Sequence, residues 1–414
     1  MDEKIFEELS AELLTGRGNL FAFGGGLARG AEDTASMWNR MVTKVAATPE
    51  DQLNLDLLCG FLSELHVRDS ELTDAILDEA CVCPTLGRRY PFLQRAVRID
   101  KRGFGRVMRS LALGQAPVST YRFLSYGPVL DALAPADLRV LLNEIASKQD
   151  GIETATEVLS MRLHVANDAQ RESAHDILQA GRDLMKQFEF TKEHDHSEDY
   201  RLGSIVKACL TGEDGAAIAG ELCHKLKHAV SSFATYAIGH NDLLNSLFHI
   251  QPSATLDGLF AGGVKEAGLG LRVLDHVRGD PISGIPENVL FGWCDQEPEQ
   301  RYRLIACAIA AIHSANEKAP PQWTQLSLRL LQRAPDRIMV LKQLIGKFRP
   351  RNGWSGALAT ILEANAKLLS DFDGYQDASL IEFVQGEKVR LAQWIADESQ
   401  REAAEDRQRN ERFE

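Results

Sequence analysis

Apolar positions recur at helical spacing along almost the whole chain, and strand-type alternation is nearly absent. Leu55, Leu58, Leu62 and Leu65 fall on one helical face. Leu138, Leu141, Leu142 and Ile145 do the same, as do Ile338, Leu341, Ile345 and Phe348. Each run has the length of an ordinary globular helix, roughly 10–16 residues. Start signals support the periodicity. Thr48-Pro49-Glu50-Asp51 predicts a hydroxyl cap, a first-turn proline and an acid behind it. Pro135-Ala136-Asp137, Pro286-Glu287 and Pro335-Asp336 repeat the proline-then-acid pattern, which also complements the helix dipole. Gly87, Gly114, Gly151, Gly181 and Gly215 are expected at helix ends or turns.

These helices group into antiparallel pairs, such as Ala136–Ser147 with Gly151–Leu163 and Trp323–Arg333 with Pro335–Phe348. No ankyrin or tetratricopeptide period recurs, and unit length drifts over about 35–45 residues, the range of HEAT and armadillo units. The expected fold is therefore all-α, a HEAT/armadillo-like α-solenoid of irregular helix pairs, with an irregular all-α domain as the alternative. The expected organisation is a helical-repeat segment over 1–189, an exposed polar loop over 190–200, a second helical-repeat segment over 201–396 and a charged helical tail over 397–414. In the tail, Asp397 with Arg401 and Glu405 with Arg409 stand at i,i+4 in the favourable order. Trp38, Trp354 and Trp394 are expected to be mostly buried at helix contacts.

Composition narrows the functional classes. The chain has 414 residues, is 44% hydrophobic and 25% charged, and carries a net charge of -13. That supports a large apolar core and argues against a duplex nucleic-acid binder, which would normally show a basic face. Seven scattered cysteines, an acidic N-terminus unlike a secretory leader, and no apolar run of roughly 18–20 residues predict a cytoplasmic protein with reduced, buried thiols.

Candidate chemistry is sparse. Gly24, Gly25, Gly26 and Gly30 read as a glycine-rich turn between helices; a phosphate-binding loop would need a preceding strand and a Lys-Ser/Thr pair, and Leu27–Ala31 follows the glycines with no Lys and no hydroxyl. Cys81 and Cys83 lack the second close pair usual for zinc. His224 and His228 match half of a zinc-protease helix, but Lys225 stands where the glutamate base would be. His194 and His196 lie in the polar loop. Ser355, between Trp354 and Gly356, lacks the strand–elbow–helix setting of a nucleophile. No catalytic, cofactor or metal residue is therefore assigned. The densest basic stretch, Arg88, Arg89, Lys101, Arg102 and Arg106, with Phe92 and Phe104 interleaved, is the candidate partner-binding patch.

Several stretches resemble motifs of a known group. Phe23-Gly24-Gly25-Gly26-Leu27-Ala28-Arg29-Gly30-Ala31 followed by Trp38 resembles an opening "FGxGLAxG…W" motif. Leu77-Asp78-Glu79-Ala80 to Pro91-Phe92-Leu93-Gln94 resembles an "LDEA…P.L" unit, and Ala116-Pro117 with Tyr121, then Glu157–Arg162, resembles the helix pair after it. Gly353-Trp354-Ser355-Gly356 to Ile361-Leu362-Glu363, with Asp406–Glu414, resembles a C-terminal "GWSGSLA.ILE…EEDRxRDERFE" signature. Together these are similar to the C-terminal helical-repeat regions of large bacterial multidomain proteins. The N-terminal parts of those proteins are often STAND-type NTPases, sirtuin-like NADases or nucleases linked to anti-phage defence. The resemblance implies a non-catalytic sensor or scaffold that recognises a phage or host protein, with NTPase and effector domains outside this chain. It transfers no catalytic residue and no cofactor. The alternatives are a metal-dependent enzyme with a cryptic site and a nucleic-acid-binding helical repeat.

Overall fold

The computed structural model describes residues 14–16, 18–165, 175–191, 196–314, 319–350 and 356–411. The protein is all-α: helices hold 75% of the described residues, and the strand structure described is a two-residue antiparallel ladder, Ile312 opposite Trp323 and His313 opposite Gln322. Short polar side chains start many of the helices. Asp33, Asp69, Asp100 and Asp336 each accept a hydrogen bond from the backbone N–H three residues on, at 2.8–2.9 Å. Each cap satisfies a donor that the first helical turn leaves unpaired.

The chain forms two compact units. One comprises Met1–Ala229 with Asp242–Gln251, and the other Val230–Asn241 with Pro252–Glu414. The division does not fall at the polar 190–200 stretch. Phe190, at the start of that stretch, is buried and meets the buried Phe188 edge to face at 5.2 Å. The helix His196–Cys209 begins inside the expected loop. Its Asp199 is buried and accepts from the backbone N–H groups of Asp242 and Leu243 at 2.8 and 2.9 Å, capping the helix Asn241–Ile250. Acids that look solvated in a linear reading are here helix caps.

In the first unit the expected pair is present as Pro135–Ala146 and Gly151–Val165, with Leu138, Leu141, Leu142 and Ile145 all buried. Leu55, Leu58, Leu62 and Leu65 form the buried face of Asp56–Arg68. The glycine-rich segment is not a turn. Leu20–Gly30 is a helix that runs through Gly24, Gly25 and Gly26 and packs against Asp56–Arg68. The contact is backbone to backbone: a Cβ on Gly24 would lie 2.9 Å from the Phe61 nitrogen, and one on Gly60 would lie 2.6 Å from the Phe21 carbonyl carbon. Glycine is retained because only hydrogen fits between the two helices. Gly181 and Gly215 likewise lie inside helices, His175–Gln187 and Gly212–Ser231, rather than at ends. Gly114 does end its helix, in the left-handed conformation at φ 63°.

Proline marked helix starts with an offset. Pro135 opens its helix, whereas Pro286 sits one residue before Glu287–Cys294 and Pro335 two residues before Arg337–Ile345. Thr48 does not cap a long helix. It ends Thr34–Ala47, its hydroxyl donates back to the Lys44 carbonyl, and only a three-residue 3-10 turn, Glu50–Gln52, follows.

In the second unit, Gln325–Arg333 pairs with Arg337–Ile345. Leu341, Ile345 and Phe348 are buried and Ile338 is half-buried, because the face is completed by Val340 and Leu344. Trp323 lies in the ladder rather than on the helix, buried against Phe348 and Phe372 at ring distances of 5.5 and 5.7 Å. Trp38 is buried as expected, Trp394 is only half-buried, and Trp354 lies outside the described residues. Trp293 joins the core instead, its indole N–H donating to Asp257 at 2.7 Å. The helix Ala378–Glu411 carries the chain through most of the charged tail. Its ion pairs differ from the expected ones. Arg401 pairs with Glu398 and Glu405, Arg409 pairs with Asp406, and Asp397 accepts from Gln393. Spacings of i,i+3 and i,i+4 are equally reachable on a helix surface, so spacing alone did not choose the partner.

Candidate functional site

The five basic residues singled out in the sequence divide into two groups. Lys101, Arg102 and Arg106 lie on the helix Lys101–Leu113. Arg106 is buried and reaches Asp74 at 2.6 Å, Asp78 at 3.3 Å and the Gln94 side-chain oxygen at 3.3 Å. Gln94 also accepts from the Tyr90 hydroxyl at 2.6 Å. Arg102 reaches Asp78 at 2.7 Å, Glu71 at 3.2 Å and Asp74 at 3.7 Å. These guanidiniums tie Lys101–Leu113 to the acidic face of Ser70–Val82 and are committed to that packing. Lys101 is exposed. Burial opposes ionisation of Asp78, but hydrogen bonds from Arg102 and Arg106 outweigh it and hold the carboxyl below its usual range.

Replacing Arg106 with Met is expected to lower stability by about 2–3 kcal/mol at pH 7, since it takes from half-buried Asp74 its nearest ion-pair partner and from Asp78 one of two. The folded pKa of Asp78 is depressed, so its ion-pair contribution is present above the ordinary carboxylate range and disappears as pH falls through the folded value. The difference between wild type and Arg106→Met should therefore shrink below about pH 4. Urea unfolding at neutral and acid pH measures this; a difference that stays constant with pH would refute the assignment.

Arg88 and Arg89 are placed differently. They sit on the 3-10 turn Gly87–Arg89 and converge on one carboxylate, Glu50, at 3.2 and 3.4 Å. Both line a cleft of about 520 Å³ whose apolar wall includes Leu53, Phe92 and Phe123. Phe92 and Phe123 meet edge to face at 4.8 Å, and the Arg95 guanidinium stacks 3.9 Å over Phe92 while pairing with Asp56.

Two other clefts of the first unit share lining residues with it in turn. Pro117 also lines a second cleft of about 670 Å³, where Arg122 and Arg201 meet Asp150, Glu153 and Glu157. Asp150 and Glu153 in turn line a third, of about 270 Å³, which extends to Glu189 and Glu198. Three structural details build these clefts. The 3-10 helix Val118–Ser125 follows Pro117 and presents Arg122 and Phe123. Asp150 takes a left-handed conformation at φ 57°, which turns the chain between two packed helices. A Cβ on the next residue, Gly151, would meet the Ile145 carbonyl carbon at 2.9 Å, so the turn is closed tightly. Arg122, Phe123 and Arg201 carried no signal in the sequence reading, because the 3-10 segment has no clear period and Arg201 lies 79 positions beyond Arg122.

The remaining candidates yield little chemistry. His224 and His228 lie one turn apart on Gly212–Ser231, both exposed, with rings 4.4 Å apart; they supply two of the three protein ligands that a catalytic zinc takes. His194 and Ser355 lie outside the described residues, and His196 is the first residue of its helix. Cys81 is buried and donates to the Arg106 carbonyl at 3.4 Å, while Cys83 is half-buried. Burial pushes the thiols of Cys59, Cys209 and Cys294 up to about 12, far from the range of a reactive thiolate.

No protein-family model, curated protein or solved structure matches the chain. The class that the fold defines is an all-α protein of packed helix pairs, and among the described residues no helix is long and apolar enough to cross a membrane.

Proposed function

We propose that this chain is a non-catalytic protein-interaction module. In this reading it is the sensor or scaffold part of a multidomain bacterial anti-phage defence protein, recognising a phage or host protein and signalling to effector domains outside the chain. The observation that carries it is a set of three neighbouring clefts on the first unit, lined by apolar, basic and acidic side chains and sharing Pro117, Asp150 and Glu153. Packed helix pairs hold such a surface rigid, so little ordering entropy opposes binding. Recognition could act on an attached effector only if the ligand favours one domain arrangement over another.

The test is a pull-down with this chain as bait from phage-infected cells, read by mass spectrometry against uninfected cells. One phage protein enriched at near-stoichiometric yield supports a phage sensor, and a host protein enriched equally from both lysates supports host recognition. Enrichment of neither, with bait shown to be folded, overturns the sensor reading. A metal-dependent enzyme is the second reading, favoured by the His224–His228 juxtaposition. Purified protein with less than about a tenth of an equivalent of zinc, iron or manganese would end it.

A further inference from the structure

We propose that the first unit also carries a small-molecule site: a cavity that binds a compact organic anion. Its carboxylate or phosphate is held by Lys207, His164 and the Ser160 hydroxyl, and its apolar body lies on Leu163 and Leu178. This goes beyond the interaction-module reading and does not depend on it.

The cavity, about 330 Å³, lies where three helices meet. Gly151–Val165 lines it with Ser160, Leu163 and His164, and His175–Gln187 with Leu178. His196–Cys209 lines it with Tyr200, Ser204, Lys207 and Ala208. Spacing explains the convergence, because side chains three and four positions apart share one helical face. The volume is at the small end of the range for ligand pockets, so the ligand is compact.

Ser160 is the informative residue. It is 6% exposed, yet its hydroxyl has no hydrogen-bond partner among the described residues. A serine inside a helix can donate to the carbonyl one turn back, as Ser204 does to Tyr200 at 2.9 Å. Ser160 does not, and it lines the cavity beside the buried Leu163. A hydroxyl so placed forgoes its bond unless something inside the cavity supplies one.

Charge selects what that is. Among the described residues no Asp or Glu lines the cavity, although acids outnumber Lys and Arg by 59 to 46 in the chain. Lys207 and His164 are exposed, and neither has an ion-pair or hydrogen-bond partner among the described residues. Both stand in the last turn of their helices, where the C-terminal carbonyls offset part of their charge. The first turn of His175–Gln187 contributes Leu178, so a positive helix end borders the same cavity. Asp176 in that turn pairs with Arg139 at 3.6 Å. Tyr200, 57% exposed, adds a further hydroxyl. An oxyanion finds several donors here, whereas a cation finds no counter-charge in the wall. Leu163 and the half-buried Leu178 reward an apolar body attached to the acid, which a bare inorganic ion lacks.

The experiment is saturation-transfer NMR on the full chain with benzoate, phenyl phosphate and neutral benzyl alcohol, with inorganic phosphate as competitor. At least one of the two aromatic anions should bind with a Kd below about 1 mM, at least about tenfold more tightly than benzyl alcohol. The tighter of the two identifies the acid group that the site takes. Inorganic phosphate should compete only at concentrations about tenfold higher. Lys207→Gln should weaken the better anion at least about tenfold and Ser160→Ala about threefold, both without lowering the thermal unfolding temperature. The proposal is overturned by equal affinity for the anions and benzyl alcohol, by unchanged affinity in folded Lys207→Gln, or by no saturable binding of either anion up to about 5 mM. Inorganic phosphate binding as tightly as phenyl phosphate would overturn the role given to Leu163 and Leu178.

Discussion

Replacing Gly60 with Ala should lower the unfolding free energy of the first unit by about 3 kcal/mol or more. The added methyl has no empty space to enter. It would lie 2.6 Å from the Phe21 carbonyl carbon and 2.9 Å from its Cα, and all of these atoms are backbone. A side chain in the way could change rotamer; a helix backbone can only move away, and moving it opens the buried face around Leu58, Phe61 and Leu62. Gly24→Ala meets the Leu57 carbonyl carbon at 3.0 Å and the Phe61 nitrogen at 2.9 Å, and should cost a similar amount. Gly26, two residues along the same helix, has nothing within 4 Å of its would-be Cβ. There alanine removes only the conformational entropy of glycine, so Gly26→Ala should stabilise by about 0.5–1 kcal/mol. Urea unfolding of the three variants measures the contrast. The same sign for Gly60→Ala and Gly26→Ala would refute the close packing of Leu20–Gly30 on Asp56–Arg68.

Trp323→Ala should cost the second unit about 3–5 kcal/mol, the range for emptying a large aromatic site in a well-packed core. The indole is 5% exposed, packs against Phe348 and Phe372, and donates its N–H to the Leu368 carbonyl at 3.3 Å. Losing it leaves a cavity between the Gln325–Arg333 and Arg337–Ile345 pair and the 3-10 helix Lys367–Phe372, and also leaves a buried carbonyl without its donor. Because neighbouring units of a helical repeat stabilise one another most directly, protection from hydrogen exchange should fall first in these elements. Protection unchanged there, with destabilisation elsewhere, would show that Trp323 does not organise this core. Trp394→Ala, at a half-buried position, should cost less than Trp323→Ala.

The candidate site was partly legible. Of the five basic residues singled out from the chain, Arg88 and Arg89 line a cleft. Arg102 and Arg106 looked the same in composition, yet Asp74 and Asp78 claim them from a helix about 30 positions away. The rest of the site was not legible at all. It is assembled from a 3-10 segment, a left-handed turn at Asp150 and helices brought side by side, and that juxtaposition leaves no mark in the period of any one of them.

What the sequence by itself determined is local: an all-α chain, the buried faces over Leu55–Leu65 and Leu138–Ile145, and the helix starts that Pro135, Pro286 and Pro335 place to within two residues. These follow from the 3.6-residue period and from caps that bond three residues ahead, so both partners lie within one short window. Tertiary structure alone decided whether Gly24 and Gly60 are hinges or contact points, which cations stay paired, which tryptophans enter the core, and where the chain divides. Each of those depends on an atom dozens of positions away, the Phe21 carbonyl for Gly60, Asp74 for Arg106 and Asp199 for the helix at Asn241. No periodicity links such partners along the chain; packing selects them, because a buried glycine face admits only a backbone and a buried charge persists only beside its counter-charge.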